Sequence, residues 1–511
     1  MGLTCSYEAA LIWVKQDGSH DISSERRYRS CEETWKNIPI LDSDTVDGLI
    51  SQCDPEHATE SISDFKVVFH VPDYNPFTAF RSSEQRSRHA LLSASRIPNL
   101  EHDPLSPTPL TQEERMLFHH YVNHVAIIMM PFEHPRNPWK SSYPARALHH
   151  TLPTQRSLFN ALLAHAAFNL AHLTSSNNEN MARASKYYGL SIKQLLDSLN
   201  RNTEPDTDTL AVVMTLMMAE LYSGQSRNWR HHFRGAWDVF WKYQAQRPWE
   251  DSDFACASIQ SLNIIGIISD TSRLAYDAED GQDKLHRQLS DSDAFDRNSS
   301  QTFSQESFSV IKSTHEFGFT IGATQEILEC ISCISDMNRD SDSSEVMEDR
   351  CQGLLSLLNV CRSNLANQAS SGSAILNPAA HYQLGAFVNA TFIYFYRTLF
   401  DLPPGKLENY VIETLENVNL FMSHGYGNMS LWPAFIAAVE ASSDGVMSMA
   451  RTWLEAAITV GMGSRFTVKK VVDEVWRKRE VASRKLNLDR QLIAVDWREV
   501  MKELNVDVLL V

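Results

Sequence analysis

Apolar residues recur at intervals of three or four through most of the chain after residue 110, which is the spacing of amphipathic helices. The first such stripe follows Thr111-Gln-Glu-Glu114, where a threonine and a glutamate have the spacing of a capping box. Its apolar positions are 118, 121, 122, 125, 128 and 129. Three prolines follow, at positions 131, 135 and 138, and they predict that the helix ends in an extended loop.

The same periodicity predicts a long series of further helices. They are expected at about 154–173, 181–199, 210–222, from 228 onward, 253–276, 304–336, 344–368, 379–400, 406–423, 431–441, 444–459, 466–487 and 494–504. No strand alternation and no repeat of fixed period is evident after residue 75. The sequence therefore predicts an all-α fold of packed antiparallel helices, in a multi-helix bundle or an irregular helical array.

The first part of the chain has a different character. Residues 1–110 have weak periodicity, short apolar runs and frequent Ser, Asp, Pro and Arg, so they are expected to form a mostly irregular, largely disordered linker. The helical domain is expected over 111–505. One uncharged stretch, Ser371 to Tyr396, predicts a buried helix and no membrane partner, because its densest part is shorter than the ~20 apolar residues of a membrane span.

Charge and cysteine content restrict the function classes. The net charge of −17 repels phosphate, so any DNA contact requires a small basic module. The eight cysteines are scattered and mostly lie in apolar segments, which indicates reduced core residues of an intracellular protein. Cys330 and Cys333 are one helical turn apart in an apolar pattern and are predicted to be core thiols, because no second pair completes a zinc ribbon.

The chain carries no recognisable catalytic motif. It has no G-x-S-x-G, Walker A or H-E-x-x-H sequence, and Gly461-Met-Gly463 lacks the third glycine and the preceding strand of a dinucleotide loop. His120 and His124 share a helix face, but a metal site needs further ligands, so structural histidines are expected. The chain is predicted not to be an enzyme, with no catalytic, cofactor-binding or metal-binding residue of its own.

Two basic clusters are candidate nuclear-import signals. One is Arg26-Arg-Tyr-Arg29 in the linker. The other lies on a late predicted helix and consists of Arg477, Lys478, Arg479, Arg484 and Lys485. The alternative for this second cluster is a solvated helix face, because the same segment has an apolar side to bury.

Several separate words of the chain resemble, in order, the second type of fungal-specific transcription factor domain, which follows a zinc binuclear cluster in many fungal regulators. The words are His120-Tyr-Val-Asn-His124, Met130-Pro-Phe132, Asn137-Pro-Trp139, Tyr143-Pro144, Ala161-Leu-Leu-Ala-His-Ala-Ala-Phe-Asn-Leu170, Met218-Ala-Glu-Leu-Tyr-Ser-Gly224, Trp229-Arg-His-His-Phe-Arg-Gly-Ala-Trp237, Leu431-Trp-Pro-Ala-Phe-Ile-Ala-Ala438, Glu474-Val-Trp476 and Asp496-Trp-Arg-Glu-Val500. The resemblance implies a nuclear transcription regulator, for example of a metabolic or secondary-metabolite gene cluster. It also implies protein partners, through self-association or the transcription machinery, and a small-molecule inducer.

The N-terminus has two interpretations. Met1-Gly2-Leu-Thr-Cys5-Ser6 fits a myristoylation pattern, with Cys5 available for a second lipid. In the resembled family six cysteines hold two zinc ions, and Gly2-Leu-Thr-Cys5-Ser-Tyr7 resembles the phrase around the last of them. The other five are absent from this sequence, so zinc and DNA are expected only through a missing upstream segment or a partner's cluster. The alternative function is a helical interaction protein that lacks its own DNA-binding zinc cluster and acts through a partner regulator.

Overall fold

The computed structural model describes residues 41–42, 80–81, 110–132, 134, 136–149, 152–174, 177–201, 207–224, 228–273, 317–339, 344–370, 378–424 and 428–511. The chain divides into two compact units, residues 1–96 and 97–511. In the first unit, strands β1 (Leu41–Asp42) and β2 (Phe80–Arg81) pair in parallel. A strand of two residues is too short to show alternation in the sequence. The zinc-cluster remnant around Cys5 and the cluster Arg26–Arg29 lie outside the described residues.

The described regular structure of the second unit is helical. Its first half contains α1 (Gln112–His120), a π-helical turn (Tyr121–Val125), α2 (Ala126–Ile128), α3 (Ser142–Leu148), α4 (Pro153–Leu173), α5 (Asn177–Asn200), α6 (Thr207–Ser223), α7 (Trp229–Tyr243), α8 (Pro248–Asp251) and α9 (Asp253–Asp270). Its second half contains α10 (Gln325–Met337), α11 (Ser344–Ser370), α12 (Pro378–Phe400), α13 (Glu408–Ser423), α14 (Leu431–Glu440), α15 (Asp444–Ala457), α16 (Ser464–Leu486) and α17 (Trp497–Leu504). The all-α prediction is confirmed.

Two helices that are apolar on nearly all sides occupy the centre of the packing. α4 lies against α5 and α6, and α12 lies against α10, α13 and α14. Both helices are buried along most of their length, as expected for helices whose apolar residues surround the axis. α12 is the buried helix predicted within Ser371–Tyr396, and none of the described helices is long and apolar enough to cross a membrane.

The predicted capping box begins the helical unit. Glu114 N donates to Thr111 Oγ1 at 3.2 Å, and Thr111 N donates to Glu114 Oε2 at 2.8 Å. The same glutamate accepts from Arg156 Nη2 on α4 at 2.9 Å. A local sequence signal thus also fixes α1 against the central helix.

Four predicted boundaries are wrong. The loop after the three prolines is not extended throughout, because Ser142–Leu148 forms α3, with Pro144 in its first turn, where the missing N–H is not needed. The helix predicted over 304–336 begins only at Gln325. Residues 317–322 form turns in which Gly318 and Gly322 have φ of +93° and +73°, and 304–316 lie outside the described residues. α9 ends at Asp270, short of 276, and α17 begins at Trp497 because the Asp496 side chain caps it.

Candidate functional site

A cleft opens among the helices of the second unit, with about 790 Å³ of empty space that is partly open to solvent. The first helical stretch, α6, α9 and the start of α16 all contribute to it. Its lining is dominated by apolar side chains, namely Ile128, Met129, Met130, Pro131, Trp139, Met214, Met218, Ile264, Ile265, Ile321, Met462 and Val511. A small number of polar groups in a mostly apolar concavity is typical of a small-molecule site.

Arg465 supplies the charge in this cleft. It lies in the first turn of α16, and only 3% of its surface is exposed. Its Nε has no hydrogen-bond partner among the described residues. Burial lowers the pKa of the guanidinium to about 10, and proximity to Tyr222 acts in the opposite direction. Because that value is still well above neutrality, the site holds a buried positive charge.

Tyr222, which lies near Arg465, belongs to a cluster of buried aromatic side chains with His165 and Tyr121. The His165 ring contacts the Tyr222 ring edge-on, with centroids 4.1 Å apart, and lies 5.8 Å from the Tyr121 ring. The two tyrosine hydroxyls and both His165 nitrogens are buried without a hydrogen-bond partner in the described part of the chain. Burial lowers the pKa of His165 to about 3 and raises the pKa of both tyrosines, so all three side chains are neutral at physiological pH.

The segment Gly461-Met-Gly463 places Arg465 at the cleft. Gly463 N donates to Tyr222 O at 3.1 Å, which joins the start of α16 to the end of α6. A Cβ on Gly463 would lie only 2.6 Å from Gly224 N, so both glycines are required for this approach. Gly461 has φ of +79°, and a Cβ there would meet Asn169 Nδ2 at 2.5 Å. The two glycines therefore serve close packing of helix ends.

Asn169 on α4 forms hydrogen bonds with the backbone of the same segment. Its Nδ2 donates to Val460 O and to Gly461 O, both at 3.1 Å. Its Oδ1 must then accept from His120 Nε2, at 2.7 Å. The His120 and His124 rings stack with centroids 4.8 Å apart, which agrees with the structural role predicted for this pair. No group of His, Cys, Asp and Glu in the described ranges has the geometry of a metal site.

The π-helical turn Tyr121–Val125 interrupts the first predicted helix next to the cleft. Tyr121 is fully buried and lines the cleft, as does Ile128 in the short helix that follows. A π-helical turn shifts the register of the side chains that come after it, and such turns are frequent at functional sites. The sequence predicted a continuous helix here, because its apolar residues keep a spacing of three or four through positions 118–129.

The five residues of the late basic cluster occupy different environments. Arg477 forms an ion pair with Glu474 at 2.6 Å, Arg484 pairs with Glu480 at 2.8 Å, and Lys478 pairs with Glu503. Lys485 is exposed. Arg479, in contrast, is 2% exposed and its guanidinium points into the core. The cluster therefore presents four cationic side chains to solvent.

The other residues that the sequence singled out belong to the packing. Cys330 is fully buried, burial raises the pKa of its thiol to about 12, and Cys333 is partly buried beside it. His232 Nε2 donates to the Tyr188 hydroxyl at 2.5 Å, as expected for a histidine that hydrogen-bonds near the helix start. The cleft residues Tyr121 and Arg465, and the adjoining His165 and Tyr222, were not predicted as site residues, because each lies in or beside an apolar helical stripe.

The family model described as fungal specific transcription factor domain matches residues 116–511, most of the chain, and the protein therefore belongs to this family. It is a transcription regulator of the fungal type, and the family is one of regulators and not of enzymes. No curated protein and no solved structure matches the chain significantly.

Proposed function

We propose that the chain is a nuclear transcription regulator whose helical domain, residues 111–505, changes its activity when a small molecule occupies the cleft. The family match over 116–511 carries the proposal. The cleft supports it, because it combines a large apolar lining with a buried charge that has no counter-ion among the described residues. The genes under its control are proposed to belong to a metabolic or secondary-metabolite cluster.

DNA contact is proposed to come from a zinc cluster and not from the helical domain. The net charge of −17 makes the chain a poor ligand for a phosphate backbone. The same charge favours the second candidate function, an interaction protein without a DNA-binding module of its own that acts through a partner regulator. Transcripts that encode five further cysteines before Met1 would support the first function. Transcripts that begin at Met1, and capture of a zinc-cluster protein by the purified chain, would support the second.

A reporter experiment tests the regulatory function directly. The full chain is fused to a DNA-binding domain of known operator, and transcription from that operator is compared with the DNA-binding domain alone. Fusion is expected to change reporter expression several-fold, in either direction, because the helical domain recruits partner proteins. Expression equal to that of the DNA-binding domain alone would contradict the proposal.

Nuclear import is proposed to use the solvent-accessible residues of the late basic cluster, namely the exposed Arg477, Arg484 and Lys485 and the partly buried Lys478. Substituting both Arg484 and Lys485 with alanine is expected to lower the nuclear fraction of a fluorescently tagged chain, because it removes two exposed positive charges. The matched control replaces the basic residues of Arg26–Arg29. If only that control reduces nuclear accumulation, the import signal lies in the linker and the assignment to α16 is wrong.

A further inference from the structure

The cleft contains one charged side chain among its lining residues, and the structure leaves that charge without a counter-ion. Arg465 is nearly fully buried, and no carboxylate in the described part of the chain neutralises it. A buried guanidinium without a counter-charge is costly to the folded protein, because it has lost its hydration. Such a group persists most readily where a ligand of opposite charge supplies the missing interaction.

Tyr121 and Tyr222 supply neutral hydrogen-bond donors in this part of the structure. Tyr121 lines the cleft with Arg465, and its buried hydroxyl has no partner among the described residues. Tyr222 does not line the cleft, but it is close enough to Arg465 for each group to affect the other's pKa. A guanidinium and a protonated phenol both donate hydrogen bonds, so this end of the cleft fits an anionic acceptor.

The remaining lining determines what the rest of the ligand must be. Thr215, Ser261 and Ser430 also line the cleft, but each hydroxyl already donates to a backbone carbonyl, at 2.7 Å in all three cases. Tyr143 and Asn428 are engaged as well, with the Ser258 hydroxyl and with Ile128 O, and Thr320 is the remaining uncharged polar side chain of the lining. The other walls consist mainly of isoleucine and methionine, and methionine adapts to irregular apolar shapes. The body of the ligand is therefore apolar.

The charge count distinguishes between classes of anion. One guanidinium balances one negative charge, whereas a phosphate dianion in a buried site needs more cationic partners than this lining provides. We propose that the cleft binds an apolar monocarboxylate, with its carboxylate on Arg465 and Tyr121 and its hydrocarbon body against the methionine-rich wall.

The test measures binding to the purified full chain by calorimetry and by the shift in melting temperature. The probes are decanoate and 4-phenylbutanoate, with 1-decanol and decylammonium as uncharged and cationic counterparts. At least one carboxylate is expected to bind and to raise the melting temperature, and decylammonium is expected not to bind. Failure of both carboxylates to bind, or equal binding of the cationic probe, would overturn the proposal.

Two variants separate charge recognition from general packing. Arg465→Met is expected to weaken carboxylate binding about ten- to hundredfold, the loss typical of a hydrogen bond to a charged group. It is also expected to raise the melting temperature without ligand, because the unpaired charge is gone. Met218→Trp keeps the charge but fills the cleft, and it is expected to abolish binding of carboxylate and alcohol alike. Arg484→Met, an exposed position on the same helix, is the control and should bind as the unaltered chain does.

Unchanged carboxylate affinity in both cleft variants would refute the site. If Arg465→Met does not fold, Met218→Trp by itself decides whether the probe occupies this cleft, and Arg465→Lys shows whether the guanidinium fork is needed. The inference deepens the proposed function but is measured separately from it. Binding in solution without an effect of the probe on the reporter would leave the site standing and remove the regulatory proposal.

Discussion

Replacing Arg479 with alanine is expected to lower the free energy of unfolding by about 3–5 kcal/mol, the loss typical of breaking a buried ion pair. The guanidinium donates from Nη1 to Ala441 O and from Nη2 to Val439 O, both at 2.9 Å, and from Nε to Ile493 O at 3.1 Å. The first two carbonyls lie at the end of α14, where helix geometry leaves them without partners. The variant would leave three buried carbonyls unpaired.

The same substitution also removes charge from a buried network. Glu440 is 3% exposed and lies between Arg479, at 3.4 Å, and Arg397, at 2.8 Å. Its carboxylate would lose one of its two cationic neighbours. The loss is measured by denaturant unfolding of the full chain, together with the melting temperature. An unfolding free energy within about 1 kcal/mol of the unaltered chain would contradict this account, because surface ion pairs contribute no more than that.

Arg477→Ala provides the matched control on the same helix. Arg477 forms an exposed ion pair with Glu474 three residues earlier, with 62% of its side chain accessible. The pair holds the pKa of Glu474 below its usual range through a hydrogen bond, but solvent screens the interaction. The expected loss of stability is therefore much smaller than that of Arg479→Ala. The two substitutions thus distinguish the structural arginine of the basic cluster from its surface members.

Replacing Gly463 with valine is expected to destabilise the protein by about 2–3 kcal/mol and to abolish ligand binding in the cleft. A Cβ at this position would lie 2.6 Å from Gly224 N, 2.7 Å from Gly224 Cα and 2.7 Å from His172 Nε2. Backbone atoms cannot rotate away as a flexible side chain does, so the ends of α6 and α16 must separate. Arg465, two residues further on, would move with α16.

Gly445→Val is the control for this prediction. Gly445 lies in the first turn of α15, and a Cβ there would meet no atom within 4 Å. Its backbone is helical, as is that of Gly463, whose φ and ψ are −60° and −33°. The backbone conformation at both positions is one that valine can adopt. The difference in melting temperature between the two variants therefore measures the cost of the steric clash at Gly463. Equal stability of the two would show that the glycine contact is unimportant.

Knowledge of the site requires the tertiary structure for a specific reason. Tyr121, His165, Tyr222 and Arg465 come from four separate stretches of the chain, and each has an apolar or aromatic context that also suits a plain core residue. Whether a buried hydroxyl or guanidinium has a partner depends on what lies opposite in space. The late basic cluster is a second example. Helical periodicity does not reveal that Arg479 donates hydrogen bonds to backbone carbonyls at the end of another helix.

The amino-acid sequence by itself determined the helices, their class and the family of the protein. Apolar periodicity and capping residues act within a few positions of each other, so α1, α4 and α12 could be predicted closely. The tertiary structure decided which polar groups meet inside the cleft and which helix ends approach through Gly224 and Gly463. Those contacts join residues that are hundreds of positions apart in the sequence. A polar group without a protein hydrogen-bond partner costs free energy only when folding removes it from water.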